Sequence, residues 1–311
     1  MLPSQSRIIW ILDQLTKSEF FHRRLHEWGM LEIAQQIEAV KGETLTWDLD
    51  QLDISQEAWN RVIHRGIKPV VVFAHPEVLA NLGGAVAYYR MLAMVSQKSM
   101  SQVGLSTTRF EMKSATPGKQ ATLAIAQHVN SIVSRLIEMD DQIDAREFDL
   151  WRGMAAGSQA QGSWQNAKGT QAENTIRDIL RQRLREQDLV ATGRLLSQRI
   201  PLKDGRIVVF AHEPDVGIYR EERLLAAVEI KGGIDKAGVL ERVGAALKSL
   251  SRIKEIAPEA VTILILQEPS VTQKSEEDLR TNQSTVNYWF TYEEISGSEE
   301  KRRELFELLA I

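Results

Sequence analysis

The fold is decided by two neighbouring stretches, His212-Glu-Pro-Asp-Val-Gly-Ile-Tyr219 and Leu224-Leu-Ala-Ala-Val-Glu-Ile-Lys-Gly-Gly233. The apolar run of the second stretch predicts a buried strand, and Asp215 ends an extended segment in the first. Gly217 to Arg223 is typical of a turn, so the second strand should return beside the first. Because strand side chains alternate between two faces, Glu229 and Lys231 should point the same way while Ile230 points into the core. Two carboxylates and an ammonium group should therefore meet at one rim of a sheet.

This rim has the chemistry of a metal-dependent nuclease. Hard cations such as Mg2+ bind carboxylate oxygens, waters and phosphate oxygens, so Asp215, Glu229 and the Ile230 carbonyl are the expected ligands. Lys231 would orient or deprotonate the attacking water and offset charge during phosphodiester hydrolysis. Each half of the pattern also has an ordinary explanation, because Glu-x-Lys is common on solvated strands and Pro-Asp is common at turns. Their joint occurrence, with an apolar run before Glu229 and a glycine pair after Lys231, favours the nuclease.

A third acid lies upstream, in Gly169-Thr-Gln-Ala-Glu-Asn-Thr-Ile176. We expect a helix to begin here, because apolar residues recur at helical spacing from Ile176 onward. Thr170 is a candidate N-cap and Glu173 stands at the capping-box position, which would make Glu173 a structural residue. Alternatively, Glu173 projects toward Asp215 and completes a second metal site or holds a water there. The sequence leaves both interpretations open.

The order helix with Glu173, then Pro214-Asp215, then Glu229-x-Lys231 resembles the PD-(D/E)xK nuclease superfamily. Three longer stretches are similar to type II restriction endonucleases of the XcyI group: Ala227-Val-Glu-Ile-Lys-Gly-Gly-Ile-Asp235, Gly238-Val-Leu-Glu-Arg-Val-Gly-Ala-Ala-Leu-Lys248 and Ala87-Tyr-Tyr-Arg-Met-Leu-Ala-Met-Val-Ser-Gln-Lys98. The superfamily resemblance covers about residues 165 to 250.

The resemblance implies a homodimeric, Mg2+-dependent enzyme that cuts double-stranded DNA at a short palindromic, G/C-rich site, CCCGGG in that group, and leaves 5'-phosphate ends. It also implies a DNA methyltransferase encoded alongside. The catalytic roles fall on Glu173, Asp215, Glu229 and Lys231, whereas the residues that read the bases do not transfer position by position.

Composition bounds the class of protein. With 311 residues, 43% of them hydrophobic, the chain can bury an ordinary core and hold two domains. It has no cysteine, which excludes disulfides and thiolate metal sites and fits a cytoplasmic location. No apolar run approaches the length of a membrane span, and no signal peptide or ATP-binding glycine loop is evident. The net charge of −4 conceals basic residues that outnumber acidic ones from Lys168 to Arg206.

The expected architecture is an α/β (α+β), restriction-endonuclease-like core with a mixed sheet flanked by helices, preceded by a mainly helical domain. We place the helical domain, for DNA recognition and dimerisation, at residues 1–150 and the catalytic domain at residues 151–311. Helical periodicity covers 8–15, 20–40, 56–64, 77–95, 120–137 and 236–256. Residues 152–169 should be a mobile loop, because glycines interrupt a stretch rich in serine and glutamine. Strands are expected in a hairpin at 198–210 and at 224–231, 261–266 and 286–292, and a terminal helix at 299–309.

Several polar side chains are candidates for contact with DNA. Arginine and lysine neutralise phosphates, and amide side chains pair with base edges. The candidates are Lys98, Arg90, Arg109, Arg152, Gln165, Asn166 and Lys168, with Lys248 and Arg252 as further phosphate contacts. Arg177, Arg181 and Arg185, four residues apart, are equally typical of a solvated helix face.

Two other functions remain open from the sequence. A structure-selective repair nuclease on the same core would cut branched or damaged DNA, and an inactive DNA-binding protein would bind without cutting.

Overall fold

A computed structural model describes residues 5–111, 115–191, 197–234 and 238–311. The chain divides into two compact units, a helical unit of Leu12–Trp164 and a sheet unit of Gln165–Ile311 with the segment that ends at Ile11. No helix among these described ranges is long and apolar enough to cross a membrane.

The helical unit contains α-helices joined by short connections. They are α1 (Gln5–Glu27) from Leu12 onward, α2 (Met30–Ala39), α3 (Gln56–His64), α4 (Pro69–Val72), α5 (Pro76–Asn81), α6 (Ala85–Leu92), α7 (Gln97–Gln102), α8 (Lys119–Glu138) and the first part of α9 (Ala145–Glu186). The expected helix over 20–40 is broken where Gly29 takes a left-handed conformation, with φ 61°. The expected helix over 77–95 is likewise two helices, with Gly84 at φ 89° between them. The mainly helical character is confirmed.

The core of the helical unit includes the fully buried polar side chain of Asn130. Asn130 of α8 accepts the N–H of Ala74 at 2.7 Å and donates to the carbonyls of Leu52 and Ala74. These bonds satisfy backbone groups that burial would otherwise leave without water, so the amide fastens the segments at Leu52 and Ala74 to α8.

The sheet unit is built on six strands in the order β1-β2-β3-β4-β5-β6. Their bounds are β1 (Arg199–Pro201), β2 (Arg206–Phe210), β3 (Val216–Arg220), β4 (Arg223–Lys231), β5 (Val261–Leu266) and β6 (Tyr288–Thr291). The first four form an antiparallel meander, and β5 and β6 then join in parallel. The remaining helices are α10 (Val239–Ile256), α11 (Gln273–Thr281), α12 (Tyr292–Gly297) and α13 (Glu299–Leu308). This mixed sheet with flanking helices confirms the expected fold class.

Strand alternation assigns each face of the sheet to a different set of helices. Val228 and Ile230 of β4 pack in one cluster with Ile176 and other residues of α9. Ala227 packs in a second cluster with residues of α10 and α11. Glu229 and Lys231 lie on the same face of β4 as Ala227, as the period of two residues in a strand predicts.

The prediction of a turn from Gly217 to Arg223 is wrong. Residues 216–220 form β3, and the reversal lies at Glu221 and Glu222, with Glu221 at φ 55°. Gly217 serves packing: a Cβ there would lie 2.6 Å from Cε2 of Tyr219. The glycine makes room for an aromatic ring inside a strand, which its sequence neighbourhood does not reveal.

The prediction of a mobile loop over residues 152–169 is also wrong, because α9 runs through it. Thr170 is therefore an interior helix residue and not an N-cap. The glycines of this stretch occupy open positions, where an added Cβ would meet nothing within 4 Å. Each costs helix stability, but Ala160 and Arg152 are buried against neighbouring elements and packing overrides that propensity.

Candidate active site

The two halves of the motif come together through the register of β3 and β4. Val216 is paired with Val228, so Asp215, the residue before β3, stands opposite Glu229. Oδ2 of Asp215 accepts the backbone N–H of Ile230 at 2.7 Å. This bond fixes the Asp215 carboxylate against the strand that carries the other two motif residues.

Glu229 and Lys231 form a close pair on β4. Nζ of Lys231 lies 2.5 Å from Oε1 of Glu229, and the hydroxyl of Ser249 on α10 donates to Oε2 at 3.4 Å. The Glu229 side chain is 3% exposed, whereas that of Lys231 is 27% exposed. The carboxylate is therefore buried while the ammonium group reaches solvent at the rim.

Helix α9 contributes Glu173 and Arg177 to the same site. The Arg177 Nη2 atom lies 3.3 Å from Oε2 of Glu173 and 3.8 Å from Oδ1 of Asp215. The same nitrogen donates to the carbonyl of Ala211 at 2.6 Å. All four acidic and basic residues proposed from the sequence for catalysis thus lie in one region, and Arg177 joins them.

Arg177 does not lie on a solvated helix face, although its spacing from Arg181 and Arg185 is typical of one. Its side chain is only 16% exposed, and Arg181 stacks over the Phe210 ring at 4.6 Å, so that description fits Arg185 alone. One signal was available: Arg177 follows the buried Ile176 and stands one turn after Glu173, which places the pair on the same side of the helix.

Burial raises the pKa of Asp215 to about 7. The neighbouring carboxylates of Glu229 and Glu173 contribute to this increase, while the bond from Ile230 and the charge of Lys231 oppose it. Burial therefore disfavours the charged form of Asp215, and a cation bound beside it would favour that form.

The donor chemistry fits a hard divalent cation. Asp215 and Glu229 are buried carboxylates side by side, and burial, which raises the pKa of Asp215, makes their charges costly unless a cation is bound. Among the described residues, no three His, Asp or Glu side chains form a ready-made metal cluster, and the Glu173 carboxylate is directed at Arg177. Mg2+ often uses only one or two protein carboxylates and completes its shell with waters and substrate phosphate, so two suffice.

The glycines after Lys231 let α9 approach the end of β4. A Cβ on Gly232 would lie 2.8 Å from Cα of Gly169 in α9. Gly233 has φ 123°, and its N–H donates to the side-chain oxygen of Gln267 at 2.6 Å. This close passage brings the backbone of α9 next to the residue that follows the motif lysine.

Two of the candidate DNA contacts, Arg90 and Arg152, are engaged inside the helical unit. Arg90 is 1% exposed, and its guanidinium group binds Glu111 through two bonds and also reaches Gln159. Arg152 is 9% exposed, stacks over Tyr88 at 4.2 Å and pairs with Asp149. Both guanidinium groups therefore bind mainly to partners within the helical unit.

The other candidates are accessible to different degrees. Lys98 and Arg109 are exposed on the helical unit, and Gln165 and Asn166 are exposed on α9 of the sheet unit, whereas Lys168 is half-buried. On α10, Lys248 is exposed and Arg252 pairs with Glu213 at 3.3 Å.

Comparison with known proteins gives one family. The model of the XcyI restriction endonuclease family matches residues 30–302 of this chain, which include every element of the site. No curated protein sequence matches the chain.

Proposed function

Because this chain belongs to the XcyI restriction endonuclease family, we propose that it is an Mg2+-dependent type II enzyme whose catalytic residues are Asp215, Glu229 and Lys231. Membership of the family makes it a DNA-cleaving hydrolase of a restriction system. The observation that carries the assignment of residues is the register of β3 and β4, which sets Asp215 opposite Glu229 and beside Lys231.

The side chains divide the work of in-line phosphodiester hydrolysis. Asp215, Glu229 and the Ile230 carbonyl would hold the Mg2+ ion, which when bound polarises the phosphate and lowers the pKa of water. Lys231, half-exposed at the rim, would orient the attacking water and offset the negative charge that develops on the phosphate. Glu173 would support the site from α9, either as a further ligand or through its contact with Arg177.

The recognition sequence and the cleavage products that we propose are inferred from the XcyI group, which the chain resembles. We propose cleavage at a short palindromic G/C-rich sequence, CCCGGG, with 5'-phosphate ends. A two-fold symmetric site calls for two active sites, so the protein would act as a homodimer. Exposed Lys98 and Arg109 would contact DNA from the helical unit, with Gln165, Asn166 and Lys168 contributing from α9. A methyltransferase of the same specificity would protect the host DNA in the cytoplasm.

Digestion of phage and plasmid DNA of known sequence, with Mg2+ or with EDTA, tests this proposal. Discrete fragments that need Mg2+ and whose sequenced ends share one palindrome are the expected result. Random cutting, or cutting confined to branched or damaged DNA, would support a structure-selective nuclease instead. Tight binding of duplex without any cleavage would support an inactive DNA-binding protein.

A further inference from the structure

Arg177 lies between two of the acidic side chains of the site. A single guanidinium nitrogen contacts the carboxylate of Glu173, approaches that of Asp215 and donates to the carbonyl of Ala211. Glu173 and Asp215 come from different elements, the helix α9 and the start of β3. The arginine therefore bridges two acids that a second metal ion would also have to bridge.

The contacts of Arg177 also fix the loop that delivers Asp215. Ala211 follows β2, and its N–H donates to the carbonyl of Asp215 at 3.2 Å, so the loop closes on itself. The bond from Arg177 to the Ala211 carbonyl fastens this closed loop to α9. Nε of Arg177 is buried and has no hydrogen-bond partner among the described residues. The guanidinium group is thus held by its end nitrogen, between the two carboxylates.

Formal charges set a limit on how many ions the site takes. Glu173, Asp215 and Glu229 bring three negative charges, and Arg177 and Lys231 bring two positive ones. Binding of one divalent ion changes the net formal charge of the site from one negative to one positive. A second divalent ion would have to sit beside a guanidinium group in a largely buried site, where like charges repel strongly.

We propose that Arg177 is a built-in second cation, so that the centre takes one divalent ion, at Asp215 and Glu229, with Glu173 held outside its coordination. This inference rests on the proposed nuclease function and refines it. Arg177 is then a positioning residue, and Glu173 acts through it. The absence of a three-ligand metal cluster among the described residues agrees with a site of two carboxylates.

Counting bound Mn2+ in DNA-free protein by electron paramagnetic resonance tests the inference without any cleavage. We expect one ion per wild-type chain and one in Glu173→Gln, with Kd unchanged within about threefold. Asp215→Asn should weaken binding by about tenfold or more, as loss of a ligand requires. Arg177→Met should release Glu173 and admit a second ion, whereas Arg181→Met, one turn further on, should bind one ion like the wild type.

Two ions per wild-type chain, falling to one in Glu173→Gln, would overturn the inference. Glu173→Gln carries the test by itself if Arg177→Met does not fold, as circular dichroism would show. Failure of the nuclease proposal is distinguishable: one bound ion without cleavage of any DNA would reject the function, while cleavage by a protein that binds two ions would reject only the role of Arg177. No binding of Mn2+ would overturn both.

Discussion

Replacing Asp215 by asparagine should stabilise the metal-free protein at pH 8, although it removes a proposed catalytic group. Burial raises the pKa of Asp215 from 3.8 to about 7. The folded state therefore binds a proton more tightly than the unfolded state, and stability falls as the pH rises from about 4 to about 7. Asparagine carries no charge at any pH, and its amide oxygen can still accept the N–H of Ile230.

The size of the effect follows from the pKa difference. Three pKa units correspond to roughly 4 kcal/mol, and the neighbouring Glu229 and Glu173 share part of that cost. We expect Asp215→Asn to raise the free energy of unfolding at pH 8 by about 2 to 4 kcal/mol, and the gain to be much smaller at pH 5. The measurement is urea denaturation in EDTA at both pH values, with the exposed Asp50→Asn as the control.

Mg2+ should make the wild type more stable than Asp215→Asn, the reverse of the order in EDTA. The wild type gains stability by binding the ion, and the variant, which lacks one ligand, gains less. If Asp215→Asn is no more stable than the wild type at pH 8 in EDTA, burial does not destabilise the charged Asp215 carboxylate, and the site has no need of a bound cation.

Two further pairs of variants test the packing at the site and the accessibility of the candidate DNA contacts. Gly232→Ala should lower the free energy of unfolding by about 1 to 3 kcal/mol, because the added Cβ clashes with Gly169. Gly169→Ala, in an open helical position, should raise the free energy of unfolding by about 0.5 to 1 kcal/mol in urea titrations. Equal effects of the two substitutions would refute the close approach of Gly232 to α9. Arg90→Met should cost about 3 to 5 kcal/mol because Glu111 is left buried without its partner. Lys98→Ala should leave the free energy of unfolding unchanged and reduce the slope of log K against log salt concentration by roughly 0.9 in DNA-binding titrations. An Arg90→Met protein as stable as the wild type would contradict the buried Arg90–Glu111 pair and make Arg90 a candidate DNA contact again.

Local patterns predicted the elements whose periodicity is undisturbed. The apolar run before Glu229 gave β4 with the correct faces, and the turn at Asp204-Gly205 gave the hairpin of β1 and β2. The parity of strand side chains was enough to put Glu229 and Lys231 on one face. These features depend only on residues next to one another in the chain.

The predictions that failed depend on side-chain contacts that local patterns do not show. Gly217 is explained by the ring of Tyr219 lying over it, and the glycines of α9 are tolerated because other residues of that helix are buried. Arg177 joins the site through Asp215 and Ala211, more than thirty positions away. Helix propensity and amphipathic spacing carry no information about such contacts.

The central claim, that Asp215, Glu229 and Lys231 form a metal-dependent nuclease centre, is tested most directly by single-turnover cleavage of one duplex. Lys231→Ala should slow cleavage in Mg2+ by about a thousandfold, since it removes the charge beside the reacting phosphate. Lys274→Ala, an exposed lysine on α11, should cut at the wild-type rate. Cleavage by Lys231→Ala at the rate of Lys274→Ala would contradict the account.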